Sequence, residues 1–327
     1  MEMIFSWRAA FFRVFVLFFA HLLRLTDKKQ ITVAIMKTAI KYFLIYLGLS
    51  FLGGLALVIP ALIIEMSLNP TDFTSGDFTL SVWTECIMML GSQLLPLFVF
   101  WKKWCNYSFI KDPDTGRFLL WAAVGWVGWV LIATFIQIYM PQYEWDYSIL
   151  ADIGEMSRNP LGFICVCVLA PILEEGIFRG TIERKLLEQN RNPWYAISIS
   201  AIFFAIAHFN LTQGIIALAL GLFIGWIYYR TRNIWYCIFV HALNNTVSTV
   251  FFLVTDDDGA ASPFSIYVNL ILLFVGIGLI DFFVQRYKKL PLTVPQQPVE
   301  MTAENSVLPA EGIAPDVNSD DAGSAQG

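Results

Sequence analysis

Eight stretches of this 327-residue chain are long and apolar enough to be read as bilayer-crossing, and nothing else in the sequence constrains the fold as much. A spanning helix needs roughly 20 predominantly apolar residues. The stretches at 40–64, 79–101, 118–140, 161–180, 194–210, 213–229, 233–254 and 264–285 approach or exceed that, with 194–210 among the shortest. In hydrocarbon each segment must satisfy its own backbone polar groups, so the expected class is all-α. The chain is therefore read as a polytopic membrane protein of about eight transmembrane helices. Composition agrees: 57% of residues are hydrophobic and 14% charged, where a soluble domain carries about 25% charged residues.

The basic residues fix an orientation. Twenty of the 21 lysines and arginines fall in one alternating set of connections, and only Arg158 falls in the other. By the positive-inside rule that set is cytoplasmic, as are both termini, in a plasma or inner membrane. The net charge of −5 describes no acidic surface, because much of it comes from the last forty residues. Basic side chains are not interleaved with aromatics as nucleic-acid binding would require. The five cysteines form no CxxC pair, so neither a disulfide frame nor a thiolate metal site is read.

The chain divides into an N-terminal cytoplasmic or interfacial segment (1–38), three transmembrane helices (39–158), a core (159–255), a last transmembrane helix (256–287) and a disordered cytoplasmic tail (288–327). The stretch Phe11–Leu25 has too short an uninterrupted apolar run to span. Arg13 and Arg24 fall near one helical face, so an interfacial helix is expected there.

Charge inside a span costs roughly 2.5–3.5 kcal/mol on insertion scales, so such residues are candidates for function. The segment LAPILEEGIFRG, residues 169–180, places Glu174 and Glu175 side by side. Arg179 stands four residues after Glu175, the favourable spacing and order for an intrahelical pair. Glu174 lies about 100° round the helix and has no such partner. Pro171 removes a helical hydrogen bond and is expected to bend the segment. Of three histidines, His21 lies in the interfacial stretch, while His208 and His241 lie in other spans, and Asn245 follows His241 at i+4.

Three chemistries use a glutamate and two histidines. Water activated by Glu174 and His208 would attack a carbonyl, with His241 and Asn245 donating to the developing oxyanion. Alternatively Glu174, His208 and His241 form a His₂Glu zinc set with an open fourth position. As haem ligands the histidines would leave the glutamate pair and Asn245 without a task. HExxH, GxSxG and the aspartyl YD/GxGD patterns are absent.

The motifs Glu174-Glu175-x-x-x-Arg179, Phe204-x-x-x-His208 and His241-x-x-x-Asn245 resemble, in order and on separate spans, those of the CPBP family. These are CAAX prenyl protease 2-type and bacteriocin-processing intramembrane proteases, also called the Abi family. The resemblance covers roughly residues 160–255. It implies an all-helical membrane endopeptidase acting on a peptide or membrane-protein substrate, prenylated or leader-bearing. It further implies that Glu174 and His208 activate water, that His241 and Asn245 stabilise the oxyanion, and that Glu175 and Arg179 support the site. Family members are called metalloproteases. Two rival readings use the same core, a non-catalytic immunity or scaffold protein and a proton-coupled transporter with Glu174 and the histidines as relays.

Depth is the obstacle. His208 lies fifteen residues into its helix from Pro193, about 22 Å at the α-helical rise, whereas Glu174 reads as near the cytoplasmic end of its own span. The two can meet if TIERKLLEQN continues the fourth helix beyond the membrane. Glu183, Arg184, Lys185 and Glu188 would then form a solvated face. Glu65 is read as a helix end, and Gln93 and Gln137 as satisfied between helices.

Overall fold

The computed structural model describes residues 29–68, 80–105, 107, 114–139, 144–189, 192–255 and 265–289. The expected interfacial helix before residue 29 and the tail beyond 289 lie outside the described residues. Nine helices run through the described residues: α1 (Lys29–Leu68), α2 (Val82–Lys103), α3 (Thr115–Tyr139), α4 (Glu144–Arg158), α5 (Pro160–Gln189), α6 (Pro193–Ile206), α7 (Leu211–Thr231), α8 (Ile234–Thr255) and α9 (Ile266–Lys288). No strand occurs among the described residues.

Seven of these are long and apolar enough to cross a membrane, and α6 is a shorter apolar helix of 14 residues. At about 21 Å, α6 falls short of a ~30 Å hydrocarbon core. It stops because the backbone tightens: His208 N–H donates to Ala205 O and Phe209 N–H to Ile206 O, both at 3.2 Å. Phe209 adopts a left-handed φ of 50°. Asn210 then caps α7, its side-chain oxygen accepting from Gln213 N–H at 2.9 Å. The helix α4 falls in a segment that the sequence reading left as a connection.

The basic helix ends gather on one face. Arg184 Nη2 donates to Trp104 O at 2.9 Å and Arg230 Nη2 to Lys288 O at 3.2 Å, joining the ends of α5 with α2 and of α7 with α9. At the opposite end Glu65 closes α1 and accepts from Ser81 N–H (3.0 Å) and Thr84 Oγ1 (2.6 Å), which ties down the start of α2. Between these ends α1 and α2 touch backbone to backbone. A side chain at Gly53 or Gly91 would strike the other's carbonyl, the small-residue contact that membrane helices use. Gln93 departs from expectation: its Oε1 is buried with no hydrogen-bond partner.

The centre of the bundle is α5 with α7. Half of each span is buried, against 17–28% for the others. The sequence ended the fourth span at residue 180, but α5 runs unbroken to Gln189, with π-helical turns at Cys165–Leu169 and Phe178–Glu183. This changes the count on which the depth obstacle rests. Glu174 stands fifteen residues before Gln189 and His208 fifteen after Pro193, so equal residue counts separate the two from the connection between α5 and α6. The register is fixed in between, where Ser200 Oγ donates to Phe178 O at 2.8 Å and the Phe178 and Phe204 rings meet edge-on at 5.3 Å.

The continuation of the helix is as expected, and Glu188 is exposed with Arg184 and Lys185 partly so, but Glu183 does not join that solvated face. Glu183 is fully buried, and Leu186 and Leu187 join the core. Arg184 is clamped by Gly180 O, Trp104 O and Glu188. Charge spacing alone could not reveal this, because α6 and α7 close over the segment.

Candidate active site

Each residue of E-E-G-I-F-R-G takes a face dictated by helical spacing. Glu175 and Arg179 are fully buried and paired, Nη1 to Oε1 at 2.8 Å. Arg179 Nη2 also donates to Gly221 O of α7 at 3.1 Å. Its guanidinium lies over the Phe204 ring at 4.7 Å, a cation–π contact in a desolvated place. Glu174, a residue earlier, keeps a fifth of its side chain accessible. The separation of the two carboxylates expected from spacing is therefore what the fold contains.

His241 comes from α8 to meet both. Its Nδ1 lies 2.8 Å from Glu175 Oε1, and its Nε2 lies 3.9 Å from Glu174 Oε2. A carboxylate only accepts, so Nδ1 carries the proton and Nε2 is the nitrogen facing Glu174. His208 follows the same logic: its Nδ1 lies 2.8 Å from Phe204 O, which makes Nε2 the ring nitrogen not used by that bond. Phe204 separates the two imidazoles, edge-on to His208 at 4.9 Å and to His241 at 5.5 Å. Tyr46 of α1, edge-on to Phe178 at 6.0 Å, interacts electrostatically with Glu174 and was not singled out from the sequence.

Pro171 acts through a carbonyl rather than through a simple bend. In the π-helical turn Ala170 N–H reaches back to Cys165 O. The next bond of that register would come from residue 171, and proline has no N–H to give. Val166 O is thereby freed, and it accepts from Asn245 Nδ2 at 3.0 Å. The amide of Asn245 is further ordered by Asn244 at 3.5 Å, whose own oxygen accepts from Trp129 Nε1 at 3.2 Å. A π-helical insertion of this kind is a common device at functional sites.

Comparison with known proteins falls on this same part of the chain. Residues 157–247 match the family of type II CAAX prenyl endopeptidases described as Rce1-like. This segment is therefore similar to the Rce1-like family. Two curated relatives agree in extent. The Bacillus subtilis (strain 168) protein named "Putative membrane peptidase YdiL" is 33% identical over 147 residues, 42% of this chain and 57% of that protein. The Lactococcus lactis subsp. lactis (strain IL1403) protein named "UPF0177 protein YaiF" is 34% identical over 136 residues, 37% of this chain and 60% of that protein. The matches thus span somewhat over half of these relatives, and no solved structure matches the chain.

The zinc set weighed from sequence, Glu174, His208 and His241, is not assembled among the described residues. Among the described residues no three His, Cys, Asp or Glu side chains gather at metal-ligand spacing. His241 Nδ1 and His208 Nδ1 each have a partner in the protein, which leaves Nε2 of each as the remaining ring nitrogen. No step below is routed through a metal.

The remaining face of the motif is a groove. Gly176 and Gly180, four residues apart, receive Tyr107 Oη and Cys105 Sγ from the segment after α2, and a side chain at either glycine would collide with them. Tyr107 Oη donates to Ile172 O at 3.0 Å, and Trp235 Nε1 donates to Tyr107 O at 2.8 Å. Burial pushes the Cys105 thiol up to about 12, against smaller opposing effects of Tyr107 and Arg184. A thiol raised this way is neutral at pH 8, and its stabilising contribution is lost only as pH climbs from about 9 toward 12. Cys105 of the folded chain is therefore expected to resist iodoacetamide at pH 8 and to react once unfolded, as read by mass spectrometry of its peptide. Equal rates in both states would show that the groove is open.

Proposed function

We propose that this chain is an intramembrane endopeptidase that hydrolyses a peptide bond of a membrane-associated substrate with water activated at Glu174. The observation that carries the reading is His241 held between adjacent carboxylates, Nδ1 on Glu175 and Nε2 facing Glu174. Glu174 takes a proton from water as the oxygen attacks the substrate carbonyl carbon, and His208, through Nε2, orients that water. His241 in its doubly protonated form donates from Nε2 to the oxyanion, as does the second N–H of Asn245, whose first is spent on Val166 O. Collapse of the tetrahedral intermediate passes the proton from Glu174 to the leaving amine, which restores the carboxylate.

Support comes from the Rce1-like match over residues 157–247 and from a relative named as a membrane peptidase. Substrates of the prenylated C-terminal or leader-peptide class belong to this reading. So does the orientation that puts the basic face and both termini in the cytoplasm, in a cell membrane. The test is a comparison of peptides, by mass spectrometry, from membranes holding the wild type or Glu174→Ala. The wild type is expected to yield peptides with new termini that the variant lacks. Identical peptide sets overturn the reading, and uptake of a solute driven by a proton gradient in proteoliposomes would replace it with transport.

A further inference from the structure

The proposed mechanism leaves one buried acid without a task. Glu183 is fully buried, and neither of its carboxylate oxygens has a hydrogen-bond partner. Burying a carboxylate this way is costly unless a charge compensates it. The compensating charge is Arg179, whose Nε is itself without a hydrogen-bond acceptor and lies 4.0 Å from Glu183 Oε2. Arg179 thus stands between two acids of its own helix, Glu175 four residues before it and Glu183 four after. Arg232, at the end of α7, is also within electrostatic reach of Glu183. The room for the carboxylate is made by Gly225, where a Cβ would stand 2.8 Å from Glu183 Oε2.

We propose that Glu183 is a positioning residue for the candidate site, the second carboxylate anchor of Arg179, and that through Arg179 it sets how strongly Glu175 holds His241. The chain of contacts is continuous. Glu183 faces Arg179 Nε, Arg179 Nη1 donates to Glu175 Oε1, and the same Oε1 accepts from His241 Nδ1. One oxygen therefore serves two donors, and the share that Arg179 takes governs what remains for the imidazole. With Glu183 facing it, the guanidinium is shared between two acids. Without it, Arg179 is drawn wholly to Glu175, and the bond from His241 weakens.

The significance of this bond for catalysis rests on the proposed function, but its test does not. The chain has only three histidines, so full-length protein labelled with ¹⁵N-histidine in lipid nanodiscs gives a sparse spectrum, assigned by His208→Asn and His241→Asn. In Glu183→Gln the Nδ1-bound proton of His241 is expected to move upfield while the His208 signals stay in place. Gly225→Ala, which displaces the carboxylate without removing its charge, is expected to move the same signal. Should Glu183→Gln fail to fold, Gly225→Ala decides alone. A folded variant of either kind with the His241 signal unchanged overturns the proposal. No cleavage assay enters, so a chain without peptidase activity can still show this coupling, and an active one can still lack it.

Discussion

Arg179→Ala is expected to destabilise the folded chain by about 3–5 kcal/mol, the cost of breaking a buried ion pair from one side. The substitution strands two acids, because Glu175 loses its 2.8 Å partner and Glu183 its nearest cation. It also removes the donor to Gly221 O and the cation over Phe204, so α5 loses one tie to α7 and one to α6 together. Arg179→Lys keeps the charge but lacks the planar fork that reaches Glu175, Gly221 and Glu183 at once, and it should recover only part of the loss. Thermal unfolding in detergent, followed by loss of the monodisperse peak, measures this. An Arg179→Ala variant as stable as the wild type would mean that the buried ion pair contributes little to holding the bundle.

Glu174→Gln is expected to leave the fold intact and to lower the cleavage rate between about 100- and 10,000-fold, the usual range for a general base. The side chain is partly accessible and makes no structural bond shorter than its 3.9 Å approach to His241, so little packing is at stake. His241→Asn should fall in the same range. The double variant should be scarcely slower than the worse single one, because groups that serve one transition state as a unit are not additive. Losses that multiply instead would assign the two residues to separate steps.

Much of this was legible from residue spacing. Apolar length marked the helices, and the i,i+4 relation separated Glu175, provided with Arg179, from Glu174. What escaped were relations between distant segments. Glu183 lies in TIERKLLEQN, whose charges read as a solvated face, and the room for its carboxylate is left by Gly225 of α7. The loss of an N–H at Pro171 is plain in the sequence. That the freed Val166 carbonyl would receive Asn245, 79 residues on, is not. Tyr107 and Cys105 follow a charged helix end and gave no sign of entering a groove, although the Gly176–Gly180 spacing could have suggested one. The α4 helix was missed because it lacks the apolar run by which the spans were recognised.

The most direct measurement uses the purified full-length chain in lipid nanodiscs, with a synthetic peptide spanning a cleavage site found in membranes. Turnover is compared between the wild type and Glu174→Gln at saturating peptide, with both proteins shown to be folded. The account predicts that the wild type cleaves the peptide and that the variant's kcat is lower by at least about 100-fold. Equal rates would contradict it and remove Glu174 from the chemistry.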